Sequence, residues 1–130
     1  RLGVRIPSRA QVKLSVPFTP GAFLFCLNYR YRYSVSKIFL FVAIDVRPGK
    51  YDEFVSALSK HISVIRTEAG CEFIDIYRDI QKENVVNVWE IWSDRPSWDA
   101  HMVNEKSKAW QSVAKDLVFG ETITVMDSLS

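Results

Sequence analysis

The chain has few cysteines, and they show no spacing typical of a metal site. Only Cys26 and Cys71 are present in 130 residues, and neither belongs to a CxxC pair. Disulfide frameworks and zinc sites need more cysteines at short, repeated spacings. The sequence therefore predicts no disulfide framework, and its cysteine content is typical of a reducing compartment. We expect a cytoplasmic location.

Long hydrophobic runs are also missing. The longest apolar run, Ile38–Ile44, is far shorter than the roughly 20 residues of a membrane-spanning helix. A run of that length suits a buried strand, so we expect no membrane contact. The common nucleotide and zinc-protease motifs (GxGxxG, GxxxxGKS or GxxxxGKT, HExxH) are absent as well.

Acidic residues are missing from the first 37 residues, which contain seven basic ones. The remaining 93 residues contain ten basic and all 15 acidic residues, a net charge of −5, although the whole chain has a net charge of +2. Proteins that bind nucleic acids need a basic surface. The acidic balance of the larger part therefore gives no reason to expect a nucleic-acid partner.

Residues 1–35 form a basic extension without a sustained helical or strand period, and we expect them to be disordered and outside the folded domain. Three interpretations are open. The segment is a presequence for organellar import, a basic arm that binds an acidic surface, or upstream sequence that is not part of the functional protein. The domain itself is expected to cover residues 36–130.

From residue 38 onward, the hydrophobic pattern predicts the element order βαββαβ. The predicted strands are 38–46, 72–79, 84–92 and 121–129. The predicted helices are one from Tyr51 to just before Gly70, a short one through His101, and one over 104–118 that Gly120 ends. This order predicts an α+β, ferredoxin-like fold, in which the helices cover one face of a four-stranded antiparallel sheet.

The first predicted strand is apolar on both faces, with Phe39 and Phe41 on the side opposite Leu40 and Val42. The helices cover only one side of the sheet. The other side would be a large exposed apolar patch, which monomers avoid. We therefore expect a homodimer in which two sheets meet face to face.

The densest group of unusual residues is Val88-Trp89-Glu90-Ile91-Trp92, followed by His101 on the next helix. Strand alternation places Glu90 and Trp92 on one face and Trp89 on the other. A carboxylate on an inner face needs a partner, because burial of an unpaired charge is costly. His101 is the nearest partner for Glu90 in sequence, and the group is either a reactive site or a structural lock.

Several segments together resemble the antibiotic biosynthesis monooxygenase domain, a dimeric α+β barrel group that includes quinol monooxygenase-like proteins. The resemblance covers about residues 36–129. It is based on four segments: Phe41-Val42-Ala43-Ile44-Asp45-Val46-Arg47-Pro48-Gly49-Lys50 with Asp52-Glu53-Phe54, Glu68-Ala69-Gly70-Cys71, Trp89-Glu90-Ile91-Trp92 and Trp98-Asp99-Ala100-His101. Their order and spacing are specific for the fold group but not for one reaction.

The resemblance implies a monooxygenase that inserts oxygen from O₂ into a quinol, phenolic or polycyclic aromatic molecule without metal, flavin or other cofactor. It implies His101 as the base, with Glu90 as the group that orients it. The predicted substrate-binding residues are Trp92, Trp89, Tyr77, Asn87 and Trp110. His61, at the edge of the first helix's apolar stripe, is expected to be solvated or merely flanking.

Two other functions remain open. One is a non-catalytic dimer of the same fold that binds a small molecule or acts as an accessory protein, and the other is an isomerase of a small molecule. The haem-degrading members of the group that this chain resembles use an Asn on the first strand and a His on the last helix. This sequence has no Asn in the first strand and no His in the last helix, so a haem-degrading function is disfavoured.

Overall fold

A computed structural model describes residues 36–130 and, from the preceding segment, the backbone of Val4 and Arg5. The elements in chain order are β1 (Val4–Arg5), β2 (Ile38–Val46), α1 (Tyr51–Ile65), β3 (Cys71–Arg78), β4 (Val85–Trp92), α2 (Arg95–Val103), α3 (Glu105–Ala114) and β5 (Val118–Met126). Within this described part, no helix is long and apolar enough to cross a bilayer.

The sheet has the strand order β1-β5-β2-β4-β3. The pairs β5–β2, β2–β4 and β4–β3 are antiparallel, and β1 pairs with β5 in parallel through two residues. The central β2 is the strand that the sequence marked as apolar on both sides. The predicted ferredoxin-like α+β fold with a four-stranded antiparallel sheet is confirmed, with β1 added at its edge.

The core lies between one face of the sheet and the helices. In β2 and β4 the even-numbered residues are the buried ones, so strand alternation sends them toward the helices. Helix α1 faces them with Phe54, Leu58, Ile62 and Ile65, a buried stripe at the helical spacing of three and four residues. Trp92 is fully buried in this layer, as the parity of β4 predicted.

Two predicted helix ends were wrong. Helix α1 ends at Ile65, and Gly70 follows in the turn to β3, where its φ of 84° requires a glycine-like conformation. Helix α3 ends at Ala114, and Gly120 lies inside β5 instead of ending the helix. The chain leaves the helix early because Val118, almost fully buried, already pairs with Val46.

The other face of the sheet carries large side chains that no helix covers. Phe41, Phe73 and Tyr77 have exposed fractions of 37%, 40% and 47%. Phe41 and Trp89 contact each other, with ring centroids 6.3 Å apart. This outer sheet face is therefore the apolar surface that the pattern of β2 predicted.

Candidate functional site

An inner cavity of about 90 Å³ lies between the sheet, α1 and the two later helices. Most of its wall consists of core side chains such as Leu40, Val42 and Ile62. Its polar lining residues come from five different elements: His61, Glu90, His101, Ser107, Gln111 and Glu121. Ionisable groups gathered in an apolar cavity are typical of a functional site.

Helix α2 brings His101 to this cavity. The helix begins after Asp94, whose carboxylate accepts a hydrogen bond from the Ser97 amide at 2.8 Å, and Pro96 follows in the first turn. His101 lies near the other end of the helix and is 8% exposed. Its backbone carbonyl accepts a hydrogen bond from the Ser107 hydroxyl, which ties α2 to α3.

The imidazole of His101 is held by Glu68, not by Glu90. Its Nδ1 lies 2.7 Å from Oε2 of Glu68, in the turn between α1 and β3, and both side chains are almost buried. The other carboxylate oxygen, Oε1 of Glu68, is buried without a partner among the described residues. The predicted contact between Glu90 and His101 was therefore wrong in its partner.

Glu90 instead accepts a hydrogen bond at 2.8 Å from the indole Nε1 of Trp92, two residues along the same face of β4. The Trp92 ring in turn stacks on His101 with a centroid distance of 4.9 Å. Trp92 lies behind the imidazole instead of forming the cavity wall. Trp92 thus supports His101 through ring packing, and Glu90 is linked to this arrangement only through its hydrogen bond with Trp92.

Two carboxyl groups of the cavity are buried enough to change their acidity. Burial raises the pKa of Glu90, an effect to which Glu68 adds and which the Trp92 N–H and His101 oppose. Burial also raises the pKa of Glu121 on β5, with the charge of Glu90 as a second cause. Both raised pKa values favour the protonated, neutral form of these two carboxyl groups.

His61 lines the cavity, and the expectation of a solvated or flanking residue was wrong. Its ring stacks on Trp110 of α3 with centroids 4.7 Å apart and planes 7° from parallel. Burial lowers the pKa of His61 to about 4, with His101 as the second cause and Glu68 acting in the opposite direction. His61 is therefore neutral at pH 7.

An outer cleft of about 340 Å³ adjoins the inner cavity and shares Ile44, Trp110, Gln111 and Glu121 with it. Helix α3 forms one side of the cleft with Lys108, Ser112 and Lys115, in addition to the shared residues. Trp110, a predicted substrate-binding residue, thus lies at the boundary between the two spaces.

The other predicted substrate-binding residues lie elsewhere. Trp89, Tyr77 and Asn87 belong to the outer sheet face, where they surround a shallow depression with Phe41 and Phe73. The pairing of Tyr77 with Asn87 and of Trp89 with Asp75 places all of them on the side away from the helices. The structure does not bring these three residues to the cavity of His101.

Sequence reasoning missed Glu68 as the partner of His101, and it missed Glu121, Ser107 and Gln111 as cavity residues. Glu68 had a signal, because it stands three residues after the last residue of an apolar stripe and two residues before a glycine. Glu121 lies on the same face of β5 as the buried Ile123, so strand alternation would have indicated it. Ser107 and Gln111 are one helical turn apart on α3, a spacing that many surface residues share.

Cys71 has no catalytic geometry. Burial raises the pKa of its thiol to about 11, with Glu90 and Glu68 as further causes. A nucleophilic cysteine requires a lowered pKa. Among the residues that the structure describes, no group of three or more His, Cys, Asp or Glu side chains could hold a metal ion.

A protein-family model described as "Antibiotic biosynthesis monooxygenase" matches residues 38–113. A curated relative, an uncharacterized protein of Synechocystis sp., is 33% identical over 58 residues, which cover 45% of this chain and 40% of that protein. The chain thus spans well under half the length of that relative.

Solved structures show the same fold. A candidate antibiotic biosynthesis monooxygenase of Caulobacter crescentus has a TM-score of 0.71 at 21% identity, covering 79% of this chain and 99% of the other. A protein of Pseudomonas aeruginosa has a TM-score of 0.68 at 21% identity, covering 73% and 96%. At such identities the likeness shows the fold alone.

Proposed function

Because this chain belongs to the antibiotic biosynthesis monooxygenase family, we propose that it is a cofactor-independent monooxygenase acting on a quinol or another phenolic aromatic molecule. The observation that carries the proposal is His101 on the wall of a mostly apolar cavity, with Oε2 of Glu68 2.7 Å from its Nδ1. This arrangement is that of a general base held by a carboxylate.

Glu68 occupies Nδ1 of His101, so Nε2 is the ring nitrogen that takes the proton. A phenol that loses its hydroxyl proton to Nε2 becomes a phenolate, which is rich enough in electrons to reduce O₂ by one electron. The resulting radicals combine at a ring carbon that carries hydrogen, para to the oxygen in a simple phenol and ortho to it in a quinol, and His101 returns its proton to the peroxide formed there.

The peroxide then loses water. The ring C–H proton leaves, the O–O bond breaks, and the C–O bond becomes a carbonyl, so that a phenol and one O₂ give a quinone and one H₂O. The substrate supplies all four electrons. Glu68 and the ring stack with Trp92 stabilise the charged imidazole between the two proton transfers.

The volumes of the inner cavity and the outer cleft indicate that the two spaces hold different parts of the reaction mixture. A cavity of about 150 Å³ holds a benzene ring, and the inner cavity of about 90 Å³ is smaller. It has room for O₂ or a few water molecules, whereas the outer cleft of about 340 Å³ has room for aromatic rings. We place the ring in the outer cleft against Trp110, with its hydroxyl directed into the inner cavity.

Oxygen uptake by the full-length, chelator-treated protein with a panel of quinols tests this function. One O₂ should be consumed per substrate, and one atom of ¹⁸O₂ should appear in the product. Uptake no faster than the protein-free autoxidation blank for the whole panel would overturn the proposal.

His101→Ala separates catalysis from structure. Loss of a general base should lower turnover by roughly 10²-fold while the fold survives. Asp99→Ala, on the exposed side of the same helix, is the matched control and should retain turnover.

A structural lock is the second candidate role, because His101 joins the α1–β3 turn to α2 through Glu68 and to α3 through Ser107. A protein with only that lock is a non-catalytic ligand-binding dimer. In that case His101→Ala should lower stability by about 1–2 kcal/mol, and neither the wild type nor the variant should consume oxygen.

We also propose that the protein is a homodimer built on the outer sheet face. Phe41, Phe73, Tyr77 and Trp89 on this face support the proposal, because exposed apolar patches of that kind mark interfaces. Light scattering after size exclusion should give twice the chain mass of 15.0 kDa. Trp89→Glu should yield monomers, and a monomeric wild type would contradict the assembly.

The free thiol of Cys71 supports the further proposal of a cytoplasmic location.

A further inference from the structure

We propose that the aromatic ligand carries an acidic group, and that Lys108 of α3 and Lys115, the C-cap residue of the same helix, bind this group at the outer cleft. The inference rests on the proposed function for the role of the cleft as the substrate site. It adds the substrate class: a hydroxylated aromatic acid of about two fused rings, with a carboxylate or phosphate as the anion.

The first observation is the arrangement of α3 along the cleft. Lys108, Gln111, Ser112 and Lys115 all line it, and their spacing of three, four and seven residues places them on one side of the helix. The two lysines are two turns apart, about 10 Å along the axis. They therefore flank a polar strip that faces an apolar wall.

The second observation is the wall opposite. Ile44, Phe54 and Val118 form it from β2, α1 and β5, and Trp110 closes the end next to the inner cavity. Phe54 and Trp110 are neighbours, with ring centroids 5.8 Å apart. A flat ring fits between the apolar wall and α3, with its edge toward the ammonium groups.

The third observation is charge. Residues 38–130 have a net charge of −5, so two lysines along one cleft form a local exception. Lys108 is 3.1 Å from Glu105, but both side chains are mostly exposed, and such pairs exchange readily with a ligand. Within residues 36–130, none of the ion pairs involves Lys115.

One acidic residue, Glu121, also lines the cleft. Burial raises its pKa, which favours the neutral carboxyl group and reduces its repulsion of an anion. A neutral carboxyl group is also a hydrogen-bond donor. It lies at the boundary with the inner cavity, where the ligand's hydroxyl would pass.

Calorimetry with the full-length protein tests the proposal through two ligands that differ by one carboxylate, 6-hydroxy-2-naphthoate and 2-naphthol. The acid should bind at least tenfold more tightly at low salt, and the preference should shrink as salt is added. A third ligand, 6-hydroxy-2-naphthyl phosphate, keeps the hydroxyl and shows whether the site prefers phosphate to carboxylate.

The double variant Lys108→Gln/Lys115→Gln should bind the acid and 2-naphthol with equal affinity. Lys106→Gln is the matched control, because Lys106 is exposed on the same helix but lines neither the cavity nor the cleft. If the double variant is poorly folded by melting, the two single variants replace it, and each should lose part of the preference.

Equal affinity of the wild type for 2-naphthol and both anions, or a preference that survives the double variant, would overturn the proposal. Calorimetry reads binding without turnover, so its outcome is separate from that of the proposed function. An acid-selective protein that consumes no oxygen keeps this inference and loses the oxygenase. A protein that consumes oxygen but shows no preference for acids keeps the oxygenase proposal and loses this inference.

Discussion

At the scale of single residues, His101 is fixed on several sides at once. Glu68 binds its Nδ1, Trp92 lies against its ring, and Ser107 binds its carbonyl oxygen. As the proposed base, His101 would lose little conformational entropy when a ligand arrives, and its Nε2 would keep one direction. The pair with Glu68 is therefore the contact whose loss should affect proton transfer most.

Glu68→Gln tests that contact. A glutamine oxygen still accepts from Nδ1–H, but the negative charge that stabilises protonated His101 is lost. Turnover should fall roughly tenfold or more, whereas the free energy of unfolding should change by about 1 kcal/mol. Oxygen consumption and urea unfolding measure the two effects. Glu83→Gln, in the exposed β3–β4 connection, should alter neither. If oxygen consumption fell only as far as the folded fraction of the protein fell, the role of Glu68 would be structural alone.

His61 gives a prediction for pH. The pKa of His61 is about 4 in the folded protein against an ordinary value of 6.5. Between these values the unfolded chain binds a proton that the folded chain does not, so stability falls as the pH drops through this window. The raised pKa values of Glu90 and Glu121 act in the opposite direction and hide part of the effect.

The variant His61→Asn removes only the histidine contribution. Wild type should therefore lose more stability than this variant between pH 6.5 and pH 5, as measured by urea unfolding at each pH. Lys60→Gln, on the exposed side of the same helix, should follow the wild type. Parallel curves for wild type and His61→Asn would contradict the lowered pKa.

The residues of the site were only partly predictable. Strand alternation placed Glu90 and Trp92 inside correctly, because its period of two is strict. It could not find Glu68 as the partner of His101, since the two are 33 residues apart in sequence and Glu68 lies in a turn without a period. The same alternation puts Trp89 on the face opposite Trp92, so only one of the two tryptophans could lie beside His101.

At the scale of elements, the turn between α1 and β3 determines where Glu68 points. Helix α1 ends at Ile65, and the Glu68 amide donates to the Ile65 carbonyl at 2.9 Å. Gly70 then takes a left-handed conformation, and its carbonyl accepts from the Ser93 amide at 2.8 Å. The turn is thereby joined to the start of α2, the helix that carries His101.

Two glycines provide a matched test of this turn. Both have positive φ, but a Cβ at Gly70 would collide with the side chains of Ser97 and Ser93, whereas at Gly49 it would meet nothing within 4 Å. Gly49→Ala should cost about 1 kcal/mol for its backbone conformation. Gly70→Ala should cost about 2–3 kcal/mol more, because overpacking adds to that term.

Urea unfolding of the two variants measures the difference. Equal costs would show that the close approach at Gly70 relaxes without penalty. A fold-preserving loss of turnover in Gly70→Ala alone would further indicate that the turn positions Glu68.

Element order was predictable, but element ends were not. A βαββαβ pattern follows from hydrophobic periods over many residues, so single errors do not change it. Helix ends depend on local competition instead. Val118 was counted with α3 on its sequence pattern, yet its burial beside Val46 in the sheet decides its conformation.

At the scale of the whole molecule, we propose that residues 36–130 are the folded unit and that residues 1–35 are dispensable for its stability. The described contact of the first segment is a pairing of two residues, Val4 and Arg5, with β5. A chain that starts at Ser36 should therefore melt within a few degrees of the full chain in calorimetry. Collapse of the shortened chain would make the segment part of the fold.

One sheet separates the proposed active site from the proposed dimer surface. The cavity of His101 lies on its helical side, and the apolar depression around Trp89 lies on the other. In a dimer joined through that depression, the two His101 cavities would face away from each other, and neither would contain a side chain of the partner subunit. Titration should then be hyperbolic, with a Hill coefficient of about 1. A mixed dimer with one His101→Ala subunit should turn over substrate at half the rate of the wild-type dimer, because the two sites act independently.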